Sequence, residues 1–141
     1  MSSDPRRLSP LDRDEALRRL AGVPVGRLVF TIAGVPSIRP VNHLVEADAV
    51  LIRTDLASAT SLAEGSVVAY EADRFDPDAI SGWSVVVTGF ASLVDDRAEL
   101  DRYERLLHPW VAKDMTEVIR IDAETVTGYE LVSHDKAAPA R

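Results

Sequence analysis

The chain has 141 residues, 46% apolar and 28% charged, with a net charge of −7 and no cysteine. That length fits one domain with a real hydrophobic core. The acidity, with no Lys/Arg cluster, excludes a nucleic-acid backbone as partner, and the missing cysteines exclude disulfides, thiol catalysis and cysteine-ligated metal.

No apolar run approaches the ~20 residues of a membrane-spanning helix, so no membrane partner is expected. The opening MSSDPRRLSP has charges but no apolar core, so no secretion signal is expected and the predicted location is cytoplasmic. Residues 1–11, rich in Pro, Ser and Arg, read as a flexible lead-in; 12–133 read as one domain and 134–141 as a flexible tail. Asp12 is placed to cap a helix, with Glu15 bonding back to the cap amide. Ala16, Leu17, Leu20 and Ala21 recur at helical spacing, and Gly22 and Pro24 stop the helix.

The stretch from Val25 to Thr54 organises the rest. It predicts strands at 26–32, 37–46 and 50–54, broken at Gly34 and Asp48. Residues 57–63 read as a short helix at most, 66–73 as a buried strand, and 75–82, with its Asp-Pro-Asp, as a loop. Residues 83–94 form the longest β segment, where Gly89 suggests a bulge or a barrel corner. A second helix is expected at 98–107, with Leu100, Tyr103, Leu106 and Leu107 on one face, followed by strands at 118–122 and 125–132. Strands do not alternate with helices, so the fold class is mainly β: an antiparallel split barrel with two or three short helices. Several strands are almost wholly apolar, which predicts a homodimer in which a second copy covers one face.

His43, His108 and His134 show no metal-ligand spacing, and there is no GxSxG elbow, GxGxxG fingerprint or P-loop. What remains lies on strands. Arg53 and Thr54 end one strand and Ser58 follows near a short helix, together a competent phosphate corner. Asn42 can bond the edge of a planar heterocycle, and Trp83 offers a flat apolar face with one donor. The bland alternative for each is a strand break or an ordinary core aromatic.

The blocks GRLVFT, VPSIRPVNH, IRT, VVAYEAD, WSVVVTG, HPW, IRID and TVTGYEL, in this order from residue 12 to 131, resemble the pyridoxamine 5'-phosphate oxidase-like family. The chain is most similar to its small bacterial flavin-binding split-barrel members, the nitroimidazole-resistance-type branch. The resemblance implies a dimeric split barrel with FMN, or a deazaflavin, in two interface clefts. It places Pro40, Val41 and Asn42 along the isoalloxazine, Arg53, Thr54 and Ser58 on the ribityl phosphate, and Trp83 and Ser84 at the cleft's closure from the other subunit. It implies a flavin-dependent oxidoreductase acting on a small planar substrate, with no catalytic side chain nominated. The chain lacks the late Arg/His pair of true pyridoxamine 5'-phosphate oxidases. Ala59 stands where family members commonly carry a Lys, which motivates a second reading: a non-catalytic binding or stress protein that has lost flavin affinity. A third reading is haem ligation by His43 or His108.

Overall fold

The structure, a computed structural model, describes residues 6–55, 66–108 and 117–133. Among these the strands are β1 (Arg6–Leu11), β2 (Val25–Ile32), β3 (Val35–Glu46), β4 (Ala49–Thr54), β5 (Val67–Asp76), β6 (Ser81–Leu93), β7 (Glu117–Asp122) and β8 (Thr125–Ser133). The helices are α1 (Arg13–Ala21) and α2 (Arg97–Leu106). The short helix expected at 57–63 and the tail at 134–141 lie outside the described residues.

All strand pairs are antiparallel, in the order β1-β8-β6-β5-β2-β3-β4-β7. A further β6–β7 pairing, Ala91↔Ile121 to Leu93↔Ile119, joins the ends of a six-stranded run and closes it into a barrel. One edge of β6 therefore serves two neighbours: Gly82–Thr88 pair with β8, and Ala91–Leu93 with β7. Strand β3 divides in the same way. Val35–Asn42 pair with β2, and His43–Glu46 pair with β4. These two divided strands make the barrel a split one.

Local chemistry explains the elements. Asp12 accepts the Glu15 amide at 2.8 Å and so caps α1. The Glu15 carboxylate does not return to the cap as expected but pairs with Arg18 and Arg19. The β2–β3 turn is Ala33–Gly34, both at positive φ (51° and 79°), the geometry of a two-residue hairpin that matches strand twist. In β6, Trp83, Val85, Val87 and Ala91 point inward and alternate with outward residues. They meet Leu28, Tyr70, Val50, Ile52, Ile119 and Ile121 in the barrel core, which α1 plugs with Ala16, Leu17 and Leu20. A second cluster under α2 contains Ala49, Leu51, Tyr103, Leu107 and Val118.

Four expectations need correction. Residues 6–11, read as lead-in, form edge strand β1 paired to β8; Pro10 is tolerated there because an edge strand need not donate on both sides. Residues 75–82 are not all loop. The ladder runs to Asp76↔Ser81, so Asp-Pro-Asp marks only the tip of a hairpin. Leu106 is exposed and does not share the buried face of Tyr103. Of the two readings of Gly89 the bulge fails, since Val68↔Gly89 sits in an unbroken ladder, while the corner holds: β6 exchanges β8 for β7 there, with a close backbone approach.

The run AVLI of β4 is apolar throughout because one face lines the barrel and the other lies under α2. A helix of the same chain, and no second copy, accounts for that strand. Elsewhere the outer surface still carries exposed Ile38, Val67 and Phe90; Val67 and Phe90 are direct cross-strand partners.

Close to these apolar residues, Arg27 of β2 lies 2.8 Å from Glu71 and 3.3 Å from Asp73 of β5. Burial pushes the Glu71 carboxyl up to about 7, with Asp73 adding to the rise and Arg27 opposing it. From the ordinary carboxylate range up to about pH 7 the folded chain holds a proton that the unfolded chain has released. Unfolding free energy therefore falls as pH rises through that window and levels off above it. Glu71→Gln is expected to flatten this dependence, raising stability at pH 8 by on the order of 1 kcal/mol and leaving it near wild type at pH 5, as thermal denaturation would read.

Candidate functional site

The β3–β4 hairpin turns at Ala47–Asp48, and its ladder runs from Glu46↔Ala49 to His43↔Ile52. One step further along the same register stand Asn42 and Arg53, at the point where β3 leaves β4 for β2. Strand β4 continues there against β7, through Arg53↔Val118 and Thr54↔Glu117. The split thus opens beside Asn42 and Arg53, which share the outer side, whereas Thr54, the next residue of β4, alternates to the inner side with Val50 and Ile52. Strand alternation puts Pro40 and Asn42 on the outer side and Val41 on the inner side. Val41 packs against the barrel core and Pro40 is exposed.

Arg53 Nη1 donates to the Leu107 carbonyl at 3.2 Å, which ties the guanidinium to the residue that closes α2 and fixes the direction of its fork. Thr54 is buried, one of few buried polar side chains among the described residues. Asn42 Nδ2 points to the Pro24 carbonyl at 3.4 Å. A guanidinium and a carboxamide beside an opening between strands fit the anionic tail and planar head of a flavin phosphate. Ser58 and Ala59, which belong to the expected phosphate corner, lie outside the described residues.

Trp83 and Ser84 are elsewhere in the chain. Trp83 is opposite Arg74 on β5 and Glu130 on β8, and Ser84 is opposite Asp73 and Tyr129. Strand β6 is separated from β3 by β5 and β2, roughly 14 Å at ordinary strand spacing. Trp83 and Arg74 line two adjoining cavities of about 260 and 230 Å³, one reaching Leu131 and Glu130, the other Arg18 and Arg19 of α1. Along the sheet, Trp83 and Ser84 thus stand three strands from Asn42, while the Trp83 ring shares the core cluster with Ile52 and Val41.

A polar network went unread in the sequence. His43 Nε2 lies 2.8 Å from the Leu20 carbonyl, and Nδ1 lies 2.6 Å from the Tyr70 hydroxyl. The Tyr70 hydroxyl also lies 3.1 Å from the Val41 carbonyl. Burial pushes the His43 imidazolium below its usual range and the Tyr70 phenol above its own. Both ring nitrogens of His43 are engaged by protein atoms, so in this conformation His43 offers no lone pair to a haem iron. A Tyr at an inward position of an apolar strand was the available signal, because a buried hydroxyl needs a partner. Its partner, 27 residues away, was not.

A family model described as pyridoxamine 5'-phosphate oxidase matches residues 12–131. A Mycobacterium tuberculosis protein, "Uncharacterized protein Rv0080", is 50% identical, over 96% of this chain and 99% of its own. A Corynebacterium glutamicum structure named as a candidate pyridoxamine 5'-phosphate oxidase superposes with a TM-score of 0.77 at 32% identity, covering 89% of this chain and 99% of that one. The FAD binding protein from Mycobacterium smegmatis gives a TM-score of 0.69 at 30% identity, covering 88% and 98%. Among the described residues, no helix is long and apolar enough to cross a membrane.

Proposed function

Because this chain belongs to the pyridoxamine 5'-phosphate oxidase family, with which it matches from residue 12 to 131, we propose that it is an FMN-dependent oxidoreductase working as a homodimer in the cytoplasm. The observation that carries the reading is the placement of Asn42 and Arg53 on one face where β3 parts from β4. Arg53 would grip the phosphate with its fork, assisted by the Ser58 hydroxyl. Asn42 would bond the polar edge of the ring system, with Pro40 and the Val41 backbone packed along it. Trp83 and Ser84, on the far end of β6, would close the cleft from the partner's copy and exclude water. Exposed Ile38, Val67 and Phe90 supply apolar surface for such a partner. A bound flavin would supply the hydride chemistry with a small planar substrate, and the protein the binding and orientation.

Titration of the protein with FMN, read by flavin fluorescence and absorbance, tests this, with FAD and a deazaflavin as comparisons. Arg53→Gln is expected to weaken FMN binding by about tenfold to a hundredfold, the worth of a charge-assisted contact. Sedimentation is expected to give about twice the chain mass of 15.4 kDa. No binding below about millimolar by any of the three flavins would favour the second reading, the barrel that has lost its cofactor, for which Ala59 in place of a Lys is the motive.

A further inference from the structure

We infer that His43 and Tyr70 are positioning residues for the flavin site: they fix the Val41–Asn42 peptide against the end of α1, and so set where Asn42 stands relative to Arg53. The inference rests on the flavin reading above.

The geometry begins at the C-terminal end of α1. The last carbonyls of a helix lack intrahelical partners, and Leu20 is in that last turn. Its carbonyl can only accept, so the His43 nitrogen at 2.8 Å must be the N–H, which makes Nδ1 the acceptor of the neutral ring. Tyr70 then donates its single proton to Nδ1 at 2.6 Å, so the Val41 carbonyl 3.1 Å from the same oxygen is a close contact, and the peptide is held through its neighbour His43, whose ring is fixed at both nitrogens. The His43 and Tyr70 rings meet edge to face with centroids 5.0 Å apart.

The segment before β2 is tied to the same place. The Pro24 carbonyl accepts the His43 amide at 3.2 Å and faces the Asn42 carboxamide at 3.4 Å. Beneath the phenol lies Gly26, where a Cβ would sit 2.5 Å from the Tyr70 ring, so only glycine leaves room for the ring in this position. Three segments far apart in sequence, the end of α1, β3 and β5, thus converge on the two residues just before β3 meets β4. No other function is needed to explain why a strand of the barrel wall carries a buried His beside Asn42.

The experiment compares FMN affinity and the visible spectrum of bound FMN in wild type, Tyr70→Phe, His43→Leu and His43→Gln. Tyr70→Phe and His43→Leu are each expected to weaken binding about tenfold and to shift the flavin absorption bands. The two effects should fail to add in the double variant, because both break one chain of contacts. His43→Gln keeps a donor and an acceptor and should recover most of the affinity. If both single variants bind FMN within twofold of wild type with unchanged spectra, the network is structural only and the inference is overturned, whatever their melting temperatures. If wild type binds FMN and Arg53→Gln does not, that outcome leaves the flavin reading standing. If wild type binds no flavin, the reading and the inference fall together. Should Tyr70→Phe fail to fold, the contrast between His43→Leu and His43→Gln decides alone.

Discussion

Gly89→Ala is expected to destabilise the fold by about 3 kcal/mol or more, toward the severe end for a single added methyl group. Gly89 is the point on β6 where the edge neighbour changes from β8 to β7. The connection between those two strands passes directly over it. A Cβ there would overlap the Asp122 carbonyl oxygen and stand 2.8 Å from its carbonyl carbon, with the Glu124 nitrogen at 3.3 Å. These are backbone atoms, and they are held: the Ala123 amide donates to Asp48 and the Glu124 amide to Asp122, both at 2.9 Å. A flexible side chain could swing aside, but this backbone can move only by opening the β6–β7 pairing that closes the barrel. Chemical denaturation should show a large loss of midpoint; a loss below about 1 kcal/mol would mean that the β7–β8 connection yields more easily than its bonds suggest.

Tyr103→Ala should cost a comparable amount, about 3–5 kcal/mol, while Tyr103→Phe should cost about 1 kcal/mol. Tyr103 is the one buried residue within α2, and it sits between Leu51, Val118 and Leu107 in the outer cluster. Its hydroxyl donates to Glu46 at 2.8 Å, and Glu46 also takes the Arg102 guanidinium. Removing the ring deletes the anchor of the helix, whereas removing only the hydroxyl leaves Glu46 paired with Arg102. The pair of variants therefore separates packing from hydrogen bonding. The effect should reach the flavin corner too. Leu107 closes α2 and accepts from Arg53, so a loosened helix releases the guanidinium. FMN affinity is expected to fall with Tyr103→Ala and to hold with Tyr103→Phe, in the same titration used for Arg53.

Much of this was legible because it is local. Two hairpins with two-residue turns fix register by counting from the turn, so Gly34 and Asp48 in the sequence already place Asn42 across from Arg53. The strands from β2 to β8 announce themselves by β-branched runs, and Asp12 by its capping position. What stayed hidden depends on distant partners. PRRLSPL has too many prolines and charges to look like a strand; it becomes one because β8 offers an edge. The double burial of β4 could not be separated from burial by a second copy, since periodicity records that a face is covered and not by what. His43 looked like an isolated histidine until Tyr70 arrived from β5. Trp83, expected at the cleft with a core aromatic as the bland alternative, packs in the barrel core, and its place relative to Arg53 follows from strand order, which composition does not contain.

The pairing of β1 with β8 sets Arg6 opposite Ser133. The described ends of the chain therefore run side by side, and a short linker could join them at little loop-closure cost. Such a circular permutant, opened at the exposed Ala33–Gly34 turn, would break no ladder, because every pairing in this barrel is made by neighbours in space and none needs the chain to start where it does.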